Sequence, residues 1–296
     1  MASRARSLLL GAGLAALLLV AFLVTVWLLM AVLEDGALPG GPRVAVVEIE
    51  GIILDGDQAV RELRDHAENP AVKAIVVRVN SPGGVVGPTQ EIYNAIQRVR
   101  KAGKPVVASF GAVAASGGYY VGAATTRIFA NPGTLTGSIG VVMQMANVEG
   151  LLKKVGVEYV VVKAGAYKDV GNFARTMSPE ERRILQALLD DVHGQFIAAV
   201  AQGRGLEESA VRAVADGRIY SGAQAKTLKL VDELGGFEDA VEAAGKLGGI
   251  PGRPKLILPR KHFSLTDLHK SELGVGVPSA LLPSLPTLRT PLYLMY

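Results

Sequence analysis

The run from Leu8 to Leu33, LLLGAGLAALLLVAFLVTVWLLMAVL, holds no charged residue. At 1.5 Å rise per residue it would make a helix roughly 39 Å long, against a hydrocarbon core of about 30 Å. The segment is therefore expected to cross a membrane once, with some tilt. A cleaved secretory signal is the rival reading, but its apolar core usually runs about 7–15 residues. Arg4 and Arg6 precede the run, while Glu34 and Asp35 follow it. That asymmetry puts the N-terminus in the cytoplasm and the bulk of the chain outside. Residues 1–7 are then a cytoplasmic N-terminus, 8–33 a transmembrane signal-anchor and 34–42 (EDGALPGGP) a flexible tether. Within the run, Gly11-Ala12-Gly13-Leu14-Ala15-Ala16 matches the G-x-G-x-x-A dinucleotide fingerprint. That motif needs a preceding strand and a phosphate at a helix N-terminus, and a lipid-buried segment offers neither.

Composition removes further chemistries. The chain has no cysteine, which excludes disulfides, thiolate metal sites and a cysteine nucleophile. His66, His193, His262 and His269 are scattered without metal-ligand spacing, so neither a metal nor a cofactor is expected. With Arg4 and Arg6 set aside, 29 Lys and Arg face 27 Asp and Glu, which is no nucleic-acid footprint. At 49% hydrophobic residues the chain can bury a sizeable core.

Beyond the tether, strands alternate with helices. Arg43 to Ile53 is a β-branched run bounded by turn signals and reads as a buried strand. Lys73–Asn80 and Pro105–Phe110 read the same way, with helices over Asp57–Asn69 and Thr89–Ala102 between the three. Further strands are predicted at Arg127–Ala130, Gly137–Met143 and Glu158–Lys163. A long helix follows Ser178-Pro179-Glu180-Glu181, where Ser178 would cap and Glu181 would close the capping box. The pattern is that of an α/β fold with a largely parallel sheet.

Three Gly-rich turns follow predicted strand ends, where open parallel sheets place their ligand sites. They are Asn80-Ser81-Pro82-Gly83-Gly84, Ala114-Ala115-Ser116-Gly117-Gly118-Tyr119-Tyr120 and Gly133-Thr134-Leu135-Thr136-Gly137-Ser138-Ile139-Gly140. Each taken alone is most simply a tight turn. The first could aim backbone N–H groups at an anion or carbonyl, as an oxyanion hole requires. The second places a serine where a helix begins, exposed to substrate. It is not the α/β-hydrolase elbow, because Ala114 stands where G-x-S-x-G needs glycine. No histidine sits at a strand end beside these turns, so a Ser-His-Asp triad has no base. A lysine can serve instead if burial keeps it neutral. Lys168, in Ala164-Gly165-Ala166-Tyr167-Lys168-Asp169, lies in a small-residue loop after a predicted strand. A lone lysine beside an aspartate is otherwise a surface ion pair.

SPGG, AASGGYYVG, TGSIGV, the G-x-Y-K-D loop with SPEER after it, and GRIYSGAQAKTLKLVDELGG occur here in one order. Together they resemble the bacterial signal peptide peptidase A family of Ser/Lys serine proteases, in its short single-unit form, from about Arg43 to Gly248. The resemblance implies a Clp protease/crotonase-like fold, a spiral of ββα units, over a peptidase domain at 43–250. It implies Ser116 as nucleophile and Lys168 as general base, with Ser138 orienting the lysine. Gly83 and Gly117 would give the oxyanion-hole N–H groups. One departure is Lys229, where glycine is expected in the A-x-x-x-G-L-V-D segment.

The function so implied is membrane-anchored degradation of cleaved signal peptides and similar short apolar peptides, in the bacterial cell membrane with the peptidase domain outside. The family also implies a homo-oligomeric ring or dome, in which Ser116 and Lys168, 52 residues apart, can come from neighbouring protomers. Two other readings stand beside it. A crotonase-type acyl-CoA enzyme would leave Ser116 and Lys168 without roles, and a non-catalytic membrane scaffold would have no use for either. The tail 251–296 is rich in proline and leucine, carries no long periodic pattern, and is expected to lie along a surface.

Overall fold

The structure is a computed structural model that describes residues 13, 15–27, 41–259 and 292–294. Met1–Pro42 and Arg43–Tyr296 are separate compact units. In the first, residues 15–27 are helical with exposed side chains such as Leu17, Phe22 and Trp27. The rest of the expected anchor and most of the tether lie outside the described residues. Among the described residues no helix is long and apolar enough to cross a membrane.

The second unit opens with β1 (Arg43–Ile53), α1 (Asp57–Glu68), β2 (Val72–Val85), α2 (Val86–Lys101), β3 (Val106–Ala115) and α3 (Gly117–Ala123). The chain continues through β4 (Arg127–Ala130), β5 (Leu135–Gly137), α4 (Glu149–Val155) and the 26-residue α5 (Pro179–Arg204). Then come α6 (Glu208–Arg212), β6 (Ile219–Ser221), α7 (Gly222–Thr227), β7 (Glu233–Leu234), α8 (Phe237–Leu247), β8 (Lys255–Ile257) and β9 (Leu292–Leu294). The main path of the sheet runs β6-β5-β3-β2-β1-β8, with β4 also on β3 and β7 on β4. Its central pairs are parallel; β5–β6 and β2–β9 are antiparallel. This mixed α/β arrangement around parallel strands fits the expected Clp protease/crotonase-like class.

The central strands are apolar on both faces, as a sheet covered on both sides requires. Ala45, Val47 and Ile49 of β1, Ile75, Val77 and Val79 of β2, and Val106, Ala108 and Phe110 of β3 enter the larger core. There they meet Leu63 of α1, Ile92 and Ile96 of α2, Tyr119 of α3 and Phe196 of α5. The intervening Val44, Ala74, Val76 and Val107 face a smaller core under Val241 and Ala244 of α8.

The strands bend before they end. Register shifts fall between Glu50 and Ile52 in β1 and between Val79 and Ser81 in β2. Gly51 makes the first with φ 66°, a backbone setting that favours glycine. Above the bend β3 changes neighbours, from β4 at Val107–Ser109 to β5 at Val113–Ala115. The chain from Asn80 onward, read from sequence as a turn, is thus a continuation of β2 held by β1, with Ile52 opposite Gly83 and Ile53 opposite Gly84.

Two predicted strands are corrected. The one placed at Gly137–Met143 is β5 at Leu135–Gly137, because Gly137 (φ 79°) and Ser138 (φ 51°) turn the backbone out of the ladder where that strand was to begin. The one placed at Glu158–Lys163 is irregular, since a β-branched run makes a strand only where a ladder partner meets it. The sheet also takes in Lys255–Ile257, beyond the expected domain limit at 250, and β9 from the end of the tail. Residues 260–291 between them lie outside the described residues.

Candidate active site

Ser116 is the joint between β3 and α3. Its φ of 52° and ψ of −117° are rare for a residue with a Cβ, a strain of about 1–3 kcal/mol. The elbow is tied on both sides: Ser116 N donates to Gly137 O at 2.8 Å, and Tyr120 N donates to Ser116 O at 2.8 Å. Although Ser116 occupies the N-cap position of α3, its hydroxyl caps nothing. Oγ is fully buried and has no hydrogen-bond partner among the described residues. A buried hydroxyl without a partner is costly, so its freedom calls for an explanation.

Register brings the second serine to it. Ala115 pairs with Gly137, so Ser116 and Ser138 each stand one residue past the paired positions of β3 and β5. Ser138 is buried, and its N–H donates to Arg218 O at 2.8 Å. The SPGG turn closes the third side. A Cβ on Gly117 would stand 3.1 Å from Gly84 N and 3.2 Å from Gly83 Cα, so a larger residue there would press the two turns apart by a few tenths of an ångström. Gly83 (φ 107°) donates its N–H to Ser81 Oγ at 3.1 Å. Ser116, Ser138, Gly83 and Gly117 therefore converge, as the sequence motifs anticipate.

Lys168 does not join them within one chain. It lies exposed in the loop between α4 and α5, its N–H donating to Gly165 O at 3.2 Å. No hydrogen bond links its Nζ to Ser116 or Ser138 among the described residues. The same loop exposes an apolar stretch, with Val160 and Val162 at 72% and 96% exposure.

Two surfaces border the serines. A groove of about 550 Å³ opens beside Ser138, walled by Val141, Met143, Leu189 and Ile219 and by the polar Asp190 and His193. On the other side β9 adds antiparallel to β2, pairing Leu294 with Gly83, Tyr293 with Gly84 and Leu292 with Val85.

Sequence reasoning missed Arg175. This side chain links Asp169 to Glu181 and holds the Glu181 carboxyl down to about 2, helped by the Ser178 N–H. Arg175 and then Lys163 hold the Asp169 carboxyl well below the usual carboxylate range. Six residues separate Arg175 from each acid, a spacing that matches no motif. Among the described residues no cluster of three or more His, Cys, Asp or Glu side chains is placed to hold a metal.

The model of peptidase family S49 matches residues 98–250. The chain is 47% identical over 209 residues to "Putative protease slr0021" of Synechocystis sp., a match spanning 70% of this chain and 75% of that protein. It is 36% identical over 227 residues to "Putative signal peptide peptidase SppA" of Enterococcus faecium, across 72% and 65% of the two chains. To "Protease 4" of Salmonella typhi it is 38% identical over 216 residues, 70% of this chain but 35% of that longer one.

Proposed function

The chain belongs to peptidase family S49, and we propose that it is a membrane-anchored serine endopeptidase degrading cleaved signal peptides and similar short apolar peptides. The observation that carries this reading is Ser116, a strained, buried hydroxyl with no partner, set between two glycine turns. Strain and an unsatisfied polar atom together mark a group kept ready for a reacting partner.

In the proposed reaction Ser116 Oγ attacks the scissile carbonyl carbon while its proton passes to Lys168 Nζ. The oxygen that becomes negative is met by backbone N–H groups of Gly117 and Gly83, the latter exchanging its neutral bond to Ser81 Oγ for a stronger charge-assisted one. Collapse breaks the peptide C–N bond, and the leaving amine takes the proton from Lys168. Water then attacks the ester, Lys168 again accepting a proton, and Ser116 is released with its hydroxyl restored. Ser138 orients the lysine. No cofactor takes part.

The lysine is proposed to come from a second copy of the chain, in a ring or dome. The unpartnered Ser116 Oγ, the exposed Lys168 and the apolar stretch beside it support this. Peptide would lie as an extended strand on β2 at Gly83–Val85, where β9 lies, a mode that recognises backbone more than side chains. The groove beside Ser138 offers Val141, Val142, Met143, Leu189 and Ile219 to an apolar side chain, among the polar Gln186, Asp190, His193 and Asp216. The anchor at 8–33 would hold this site near the bilayer, on the outer face of the cell membrane.

The acyl-CoA and scaffold readings leave Ser116 strained without return. Full-length protein, purified in detergent, should be acylated at Ser116 by a serine-directed reagent. It should also cut a synthetic signal peptide into fragments resolved by mass spectrometry. No labelling together with no cleavage, or equal cleavage by Ser116→Ala, would sink the proposal.

A further inference from the structure

All five N–H donors of Arg175 are committed, two of them to Asp169 in the turn that carries Lys168 and the rest to Thr176 and Glu181 at the start of α5. Nε donates to Asp169 Oδ2 at 2.9 Å and Nη2 to the Asp169 carbonyl at 3.4 Å. Nη1 donates to Glu181 Oε2 at 2.9 Å and to Thr176 O at 3.3 Å, while Nη2 also pairs with Glu181 Oε1. Glu181 belongs to the first turn of α5, where its Oε2 accepts from Ser178 N at 2.8 Å and its own N–H donates to Ser178 Oγ at 3.1 Å. From the other side, Lys163 Nζ pairs with Asp169 Oδ1 and donates to Ala166 O at 2.8 Å.

An exposed ion pair contributes little. This one differs in burial, since the Asp169 and Glu181 side chains are 11% and 5% exposed. It differs also in geometry, because the planar fork grips a side chain and a main-chain carbonyl of the same residue. Asp169 is the residue after Lys168. Fixing it fixes the Lys168 backbone relative to α5, a helix packed into the core through Phe196, Ile197 and Val200. A base on a free loop would be loose by more than the fraction of an ångström that proton transfer tolerates.

We propose that Arg175 is a positioning residue that sets Lys168 at its working place by bracing the 165–169 turn against the N-terminus of α5. This rests on Lys168 being the general base. The loop is then as stiff as a helix end without belonging to a regular element.

The test uses the full-length protein and a p-nitrophenyl ester reactive enough for the residual rate of Lys168→Ala to be read. Arg175→Ala should lower kcat by about 10–100-fold with KM within about twofold, since misplacing a catalytic group costs rate more than binding. Arg175→Lys, which keeps the charge and loses the fork, should recover only a small part. Placed in Lys168→Ala, Arg175→Ala should leave the residual rate unchanged, because no amine remains to be placed. Wild-type kcat in Arg175→Ala overturns the proposal. So does a loss of equal size in the Lys168→Ala background, which would mark a merely structural role. Lys168→Ala at the wild-type rate would instead sink the base assignment, and it is read without reference to Arg175. If Arg175→Ala fails to fold by circular dichroism, Asp169→Asn, which leaves the Arg175–Glu181 pair intact, carries the same comparison.

Discussion

Among the described residues, three non-glycines hold a left-handed φ: Ser116 at 52°, Ser138 at 51° and Lys229 at 60°. The first two stand side by side in the site, where aiming a hydroxyl offsets the strain. Lys229 stands where the family resemblance expected glycine, and its backbone adopts the conformation glycine would take without cost. Lys229→Gly should therefore stabilise the fold by about 1 kcal/mol, the left-handed cost of a Cβ less the extra freedom of glycine in the unfolded chain. Thermal melts should show a rise of about 2–4 °C for a domain of this size, and an unchanged or lower midpoint would refute it. At Lys168 the chemistry distinguishes proton transfer from charge. Arginine keeps charge and reach but does not lose its proton in proteins. Lys168→Arg should be nearly as inactive as Lys168→Ala. A folded, active Lys168→Arg enzyme would return the search for the base to its start. Ser138→Ala should be milder, since it removes an orienting bond and leaves the base.

Among the elements, those built from local signals were legible. β1 spans Arg43–Ile53 as its β-branched run indicated, and the capping box of Ser178 and Glu181 opens α5 as their spacing indicated. Elements that depend on a distant partner were not. Pro82-Gly83-Gly84 carries every mark of a turn, yet β1 holds it in the sheet as the end of β2. Glu158 to Lys163 carries every mark of a strand, yet no described strand pairs with it. β9 is the clearest case, because its Leu-Tyr-Leu gives no hint that it pairs with the glycines beside Ser116. Since β9 occupies the proposed peptide lane, deleting Leu292–Tyr296 should lower KM for an extended apolar peptide severalfold and leave kcat unchanged. Steady-state kinetics on the two proteins decide the matter; an unchanged or higher KM would place the peptide elsewhere.

At the scale of the molecule, one chain brings Ser116 to the glycine turns but leaves Lys168 apart, beside an exposed apolar surface. Leu151, Val155, Val157, Tyr159, Val160 and Val162 are all exposed there, a patch of the kind that marks association. If a second copy covers it and delivers Lys168, mixing Ser116→Ala and Lys168→Ala chains should restore part of the activity that each lacks. Up to about a quarter of wild-type activity is expected for sites formed at random from one intact serine and one intact lysine. Mixed oligomers verified by two affinity tags and still inactive would argue against a shared site.

The sequence by itself determined the three central strands, the capped start of α5, the elbow serine and the family, because each depends on residues close together in the chain. The order of the motifs along it carried the family resemblance, and with it the expectation that Ser116, Ser138, Gly83 and Gly117 share one site. Tertiary structure alone decided that Ala115 lies opposite Gly137, that Gly83 remains in the sheet, and that Lys168 stays outside a single chain's site. It also decided that Arg175 braces the lysine's turn. The reason is that strand register and the approach of two loops are set by backbone groups and packed surfaces far apart in sequence. No periodicity or spacing records those contacts.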